Sequence, residues 1–301
     1  RNCPHCQNFE SQQWLERQLQ KRVPAKYFLL TFTLPAELRS LAWHHQRLLY
    51  AWMIQCVWET IRTFAQNDQQ LRGIPGAIAV LHTHSRRLDY HPHVHLVMPA
   101  AAMDANKRLW RTKGGKTRKN QKPYLFSHKA LAKVFRAKLL DAITQKGLVL
   151  PQNYPTEWVV DCKSVGTGEK ALIYLGRYLY RGVIQEKDLV ACQDGEVTFR
   201  YRDSKTKKTG LRKVSGAKFL WLLLRHVLPK GFRRARNFGF LHPNSKRLIR
   251  LLQYLVGLDP SHALALIQKR PRMICPCCGA KMKVLATRLP PGFVLPTPMP
   301  T

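Results

Sequence analysis

Two runs of β-forming and apolar residues, 77–84 and 93–98, are separated only by a short, largely polar connection at 85–92. A link this short cannot carry a parallel crossover, so the two runs are expected to pair as antiparallel strands. That pair sets the frame of an α+β fold, a mostly antiparallel sheet flanked by helices. Further strands are expected at 27–33, which ends at Leu34-Pro35, at 157–160 and at 196–201. Helices are expected at 11–22, in a long segment with Leu49, Trp52, Met53 and Cys56 on one face, after Ser127, and at 219–228 before Pro229. Four segments follow: 1–25, which holds a Cys-x-x-Cys pair; 26–202, the main domain with the paired strands; 203–270, a basic helical region; and 271–301, a second cysteine cluster and coil.

The charge narrows the partner. The 301 residues hold 51 Lys+Arg against 17 Asp+Glu, a net +34, with an ordinary hydrophobic fraction of 45%. A folded chain so cationic repels itself unless a polyanion shares the charge, so nucleic acid is the expected partner. No run is long enough to span a bilayer and no signal peptide is visible, so no membrane partner is expected and the eight cysteines read as thiols or metal ligands. The densest cationic runs, 107–122, 205–213 and 230–236, are expected to contact DNA, with Lys113, Lys116, Arg118, Arg233, Arg234 and Arg236 singled out and Trp110, Tyr124, Phe232 and Phe238 nearby for stacking.

Within the second strand stands His91-Pro-His93-Val-His95. Strand side chains alternate, so His93 and His95 share a face while Val94 points into the core. An isolated His-x-His is more often a hydrogen-bonded structural pair. Here five of the twelve histidines fall between 82 and 95 in a polycation, which favours a divalent metal site. His82, on the preceding strand, ranks first as third ligand, with His84 and His91 as alternatives. Imidazole favours Mn²⁺ over Mg²⁺, and either is expected there.

The segment from Tyr174 to Arg181 follows a Gly-containing turn and has helical composition. Residues four apart share a helix face, so Tyr174 and Tyr178 are neighbours, with Arg177 and Arg181 alongside to contact phosphate. Alone, such a pair is an ordinary amphipathic stripe. Beside a metal the tyrosines become candidate nucleophiles: a phenol, with a pKa near about 10, needs the phosphate activated before it can attack. Such an attack exchanges one phosphodiester for another and needs no nucleotide cofactor.

His93-Val-His95 resembles the HUH motif of single-strand endonucleases, and Tyr174-x-x-x-Tyr178 resembles the two-tyrosine helix of rolling-circle transposases. The stretches 27–38, 80–83 and 228–239 resemble the insertion-sequence branch of that class, in the expected order over roughly residues 1–270. The resemblance implies a metal-dependent transposase that nicks DNA, forms a 5′-phosphotyrosine, leaves a free 3′-OH and moves a mobile element. It implies single-stranded or hairpin DNA at element ends and target as partner, and a bacterial cytoplasmic, DNA-associated location. A plasmid replication initiator or relaxase would use the same chemistry; a non-catalytic zinc-containing binder or an inactive remnant stays open as well.

Cys3-Pro-His-Cys6 and Cys275-Pro-Cys-Cys278 each have the spacing of half a zinc site, so Cys3, Cys6, Cys275 and Cys278 are candidate Zn²⁺ ligands. Members of the resembled class carry a cysteine-rich zinc segment before the catalytic domain, of which only Cys3-x-x-Cys6 stands here. The chain opens at Arg1 without Met, so an upstream segment is expected. Gly114-Gly-Lys-Thr117 lacks the earlier glycine of a phosphate-binding loop, since Trp110 stands there.

Overall fold

The structure, a computed structural model, describes residues 4–104, 109–114, 124–180, 183–203, 206, 208–261, 275 and 277–280, with the side chains of 4–9, 177 and 180 outside that description. In chain order come α1 (Pro4–Leu19), β1 (Tyr27–Thr33), α2 (Arg39–His44), α3 (Gln46–Asn67), β2 (Ile74–His84), β3 (Tyr90–Pro99), β4 (Ala101–Asp104), β5 (Leu109–Thr112) and α4 (His128–Gln145). Then follow β6 (Val160–Ser164), α5 (Glu169–Tyr180), β7 (Leu189–Gln193), β8 (Glu196–Arg202), β9 (Thr209–Ser215), α6 (Gly216–Leu224), β10 (Ala235–Gly239) and α7 (Lys246–Leu255). Seven strands form one antiparallel sheet in the order β5-β4-β2-β3-β1-β6, with β10 beside β2. The expected α+β architecture is the observed one.

Alternation along the strands sorts side chains into two cores. On one face Phe28, Leu30 and Phe32 of β1, Leu81 of β2 and Val94, Leu96 and Met98 of β3 pack with α3 and α4. On the other, Tyr27, Leu29, Ile78, Val80 and Val97 meet Trp14, Leu15 and Leu19 of α1 and Ala171, Leu172 and Leu175 of α5. Leu172 and Leu175 are fully buried, and each contributes about 1.5–3 kcal/mol to holding α5 on the sheet. Toward the end of this second face the apolar residues give way to Thr31, His82, His93 and His95.

Helix α1 backs α5 closely. The Ser11 hydroxyl donates to the Gly176 carbonyl (3.0 Å), and a Cβ at Gly176 would lie 3.2 Å from the Trp14 ring. Gly176→Leu is therefore expected to cost about 1–3 kcal/mol through overpacking, read as a lower urea midpoint. An unchanged midpoint would mean that α1 does not press on α5 at this turn.

Several segments differ from expectation. The basic stretch 107–122 begins as a strand: β5 pairs with β4, and Trp110 packs edge-on against Phe240 at 5.0 Å, an anchor hidden among cations in the sequence. Within 230–270, expected to be helical, β10 joins β2, because Phe238 stacks on Trp58 (4.9 Å, 9°) and draws the segment to the sheet edge. It ends at Gly239 (φ 57), where a Cβ would collide with the Pro75 carbonyl. The strand expected at 157–160 starts later, as β6, because Trp158 is buried beside the core with its indole N–H donating to Pro155. The charged turn expected at 203–213 includes most of β9, which completes a separate β7-β8-β9 sheet. That sheet and α6 bury Val197, Phe199, Phe219 and Leu222 against Leu88 of the β2–β3 connection.

Candidate active site

The histidines are gathered by strand register. His82 on β2 stands directly opposite His93 on β3, and His95 is opposite Val80 on one side and Thr31 of β1 on the other. One ring nitrogen from each of His82, His93 and His95 lies within 4.8 Å of the others, and this is the one such group of three or more ligand-type side chains among the described residues. Ring centroids are 4.4–5.1 Å apart.

Two of the imidazoles are oriented from behind. The His93 Nδ1–H donates to the His91 carbonyl (2.7 Å), leaving Nε2 with a lone pair. His95 Nδ1 lies 2.9 Å from Thr31 Oγ1, and a proton on Nδ1 leaves Nε2 free in the same way. His82 Nε2 is buried and makes no hydrogen bond. A buried nitrogen without a partner costs free energy unless something else satisfies it. Burial, reinforced by repulsion from neighbouring imidazoles, pushes His82 well below the ordinary histidine range. Burial above all lowers His93 to about 4, with the His91 carbonyl opposing, and His95 to about 3, with His93 and Lys163 adding to the fall. All three are neutral at pH 7, which is the ligand form.

Tyr174 and Tyr178 lie on the face of α5 that looks at this group. The Tyr178 ring stacks on His82 (3.5 Å, 13°) and its hydroxyl is 2.6 Å from His84 Nε2. A register shift between His82 and His84 lets both histidines meet that tyrosine, as bulges near functional sites commonly re-aim side chains. Burial raises the Tyr178 phenol, with Arg234 opposing. Tyr174 is 48% exposed, and its ring stands edge-on to His95 at 6.3 Å and tilted by 40° to Tyr178 at the same distance. Burial raises its phenol too, with Arg86 pulling the other way.

Both tyrosines open into a cleft of about 1040 Å³ that His82, His84, His91 and His93 also line. Arg86, Arg87, Lys170, Arg200 and Arg202 supply positive charge, and Arg87 lies over the Tyr201 ring (5.2 Å). The far wall belongs to the small sheet, tied to the β2–β3 connection by the Arg212–Asp89 ion pair (2.8 Å).

The other singled-out residues are more dispersed. Arg39 donates to His91 Nδ1 (2.7 Å), so that ring serves an arginine. Lys113 is buried in an ion pair with Asp68. Arg234 turns toward α5, donating to the Leu179 carbonyl (3.3 Å), while Arg233 and Arg236 line a second cleft. Arg177 contributes only its backbone to the described structure, as does Cys6, in the first turn of α1. Cys3, Lys116, Arg118 and Arg181 lie outside the described residues. Cys275 and Cys278 sit on a short turn in which the Gly279 N–H donates to the Cys275 carbonyl (2.9 Å), and backbone amides lower the Cys275 thiol.

Sequence reasoning missed the supporting groups. Thr31 could have been found by asking what a strand paired beside His95 presents. Nothing in the chain marks His226, which donates from Nε2 to Leu88 (3.1 Å) and puts its ring 5.0 Å from His84.

Residues 76–248 match the family model described as "Putative transposase", more than half of the chain, and residues 1–34 match a transposase zinc-binding domain. The chain belongs to this transposase family. Among curated relatives it is 31% identical over 265 residues to "Putative transposase y4qJ" of Sinorhizobium fredii, covering 80% of this chain and 65% of that one. It is 27% identical over 253 residues to the transposase for insertion sequence element IS801 of Pseudomonas savastanoi pv. phaseolicola, covering 80% and 60%. The chain thus spans less than two thirds of either relative. Solved structures of the relaxase TrwC complexed with a 27-mer DNA or with OriT DNA are similar at 12% and 14% identity, covering 77% of this chain and 74% and 72% of theirs, with TM-scores of 0.31 and 0.34. Those scores are too low to bear on the chemistry of this family member. Among the described residues no helix is long and apolar enough to cross a membrane.

Proposed function

We propose that this chain nicks and rejoins single-stranded DNA by tyrosine transesterification, moving a mobile element by a rolling-circle route in the bacterial cytoplasm. The observation that carries the reading is the meeting of three neutral imidazoles, one with an orphaned buried nitrogen, with two tyrosine rings on a single helix face. The donor set fits a divalent cation, which His82, His93 and His95 would hold. Bound there, Mg²⁺ or Mn²⁺ would neutralise charge on the phosphate oxygens, and an all-imidazole set favours Mn²⁺.

The chain's own groups do the rest. A phenol oxygen of Tyr174 or Tyr178 attacks phosphorus, the bond to the 3′-oxygen breaks, and the phenol proton is replaced in the balance by one on the departing 3′-hydroxyl. The 5′-phosphate stays on the tyrosine as a diester, so no bond energy is lost to water and rejoining is the same step reversed. Arg86, Lys170 and Arg200 hold the strand by its phosphates. Arg177, Arg181, Lys116, Arg118, Arg233 and Arg236 are further proposed DNA contacts. Arg234, beside Tyr178, favours the ionised phenol. Cys3, Cys6, Cys275 and Cys278 are proposed Zn²⁺ ligands, in keeping with the zinc-binding match over 1–34.

Incubating the chain with a single-stranded oligonucleotide from an element end and Mn²⁺ is expected to give a covalent protein–DNA adduct that survives denaturant and disappears with chelator. A chain that binds the oligonucleotide tightly but forms no adduct with any divalent ion would leave only a cationic binder. Thr31→Val, which removes the group behind His95, is expected to weaken Mn²⁺ binding about 10- to 100-fold by calorimetry. An unchanged affinity would mean that Thr31 does not orient the ligand.

A further inference from the structure

A second cleft, of about 1350 Å³, shares no lining residue with the first. Its walls carry seven Lys and Arg side chains against one carboxylate, Asp259. The cations come from four elements and their flanks, among them Arg17 and Lys21 at the end of α1, Arg47 at the start of α3, Arg236 on β10, and Lys246 and Arg250 on α7. Among the described residues none of the seven is ion-paired. Burial, Lys246 and Arg17 hold the Lys21 ammonium below its ordinary value, and burial and Arg233 do the same to Arg236. Seven like charges crowded around a single carboxylate are relieved by a polyanion.

The aromatic residues here are already engaged. Trp14 and Phe232 are buried, and Phe238 stacks on Trp58. The exposed His242 ring accepts from the Asn244 N–H (3.3 Å), and no Trp, Tyr or Phe ring of the lining is free to stack a base, unlike Tyr174 in the first cleft. The surface therefore suits a phosphate backbone whose bases are paired with one another. The segment 233–236, at and just before the start of β10, lies between the two sites: Arg233, Ala235 and Arg236 line the second cleft, while Arg234 reaches α5, whose Tyr178 lines the first.

We propose that this cleft seats the sugar–phosphate backbone of double-stranded DNA flanking the strand to be cut, bound by charge and not by base sequence. The proposal rests on the nickase reading of the His–Tyr site for its biological meaning, and its test separates the two. Arg17, Lys246 and Arg250 are exposed, so the full chain carrying Arg17→Glu, Lys246→Glu and Arg250→Glu should fold. The control carries the same charge change at three exposed lysines of α4 and its end, Lys129→Glu, Lys133→Glu and Lys146→Glu.

Binding to a duplex of about 20 base pairs and arbitrary sequence, followed by anisotropy across salt, is expected to weaken more than about twenty-fold in the cleft variant, with the log–log salt slope falling by about 2 to 3, while the control changes less than about three-fold. Adduct yield on a short single strand should match the parent in both. Equal loss in the two triple variants, unchanged duplex binding in the cleft variant, or an equal loss for single strands would each overturn the proposal. If the parent itself forms no adduct, the nickase reading fails, and the duplex comparison still decides the cleft.

Discussion

With phenylalanine at both Tyr174 and Tyr178, the covalent adduct is expected to fall by about 10⁴-fold or more, since loss of the nucleophile removes the reaction and not merely its efficiency. The single variants should differ. Tyr174 is half exposed and stands edge-on to His95, so its hydroxyl meets an incoming strand first. Tyr178 is stacked on His82 and hydrogen-bonded to His84, and must leave that arrangement to react. Tyr174→Phe is therefore expected to remove most of the first adduct, and Tyr178→Phe mainly the subsequent exchange. Tyr178→Phe also forfeits a hydrogen bond, about 1 kcal/mol, so melting must accompany the assay. An adduct undiminished in the double variant would remove both residues from the mechanism.

His95→Ala is expected to abolish the response to metal. In the parent, a divalent ion at a hundred times its Kd should raise stability by about 2.7 kcal/mol, because it binds the folded chain only. Without one of three ligands that increment should vanish at the same concentration, and adduct formation should fall about 10³-fold or more as charge neutralisation at the phosphate is lost. Thermal unfolding with and without Mn²⁺ reads the first effect independently of DNA. If the variant gains as much stability from Mn²⁺ as the parent, the histidines are not the ligands.

The parts legible in the sequence are those that strict periodicity controls. Val94 inside and His93 and His95 outside follow from the two-residue repeat of a strand, and Tyr174 beside Tyr178 from the helical turn. The approach of His82 needed only the antiparallel pairing of two neighbouring runs. What periodicity does not encode is which distant segment fills the remaining edge. Strand β10 is five residues long, and its place beside β2 depends on Phe238 finding Trp58, a contact between residues 180 positions apart. Arg234 and His226 reach Tyr178 and His84 for the same reason, through tertiary packing that their neighbours in sequence do not announce. Cationic composition also concealed order: Trp110 and the pairing of β5 lie in a run that charge alone would assign to solvent.

The three imidazoles depend on a ladder of paired strands, whereas the phenols ride on a helix braced by Trp14 and Ser11 of α1 and, just after α1, by the ion pair of Arg22 with Glu169. The residues matched to the zinc-binding domain include that brace. A segment matched to zinc binding thus doubles as the splint that keeps the two proposed nucleophiles in place. Trimming or loosening the amino-terminal end would leave the metal cradle whole while letting its partner drift, which couples the integrity of one to the aim of the other.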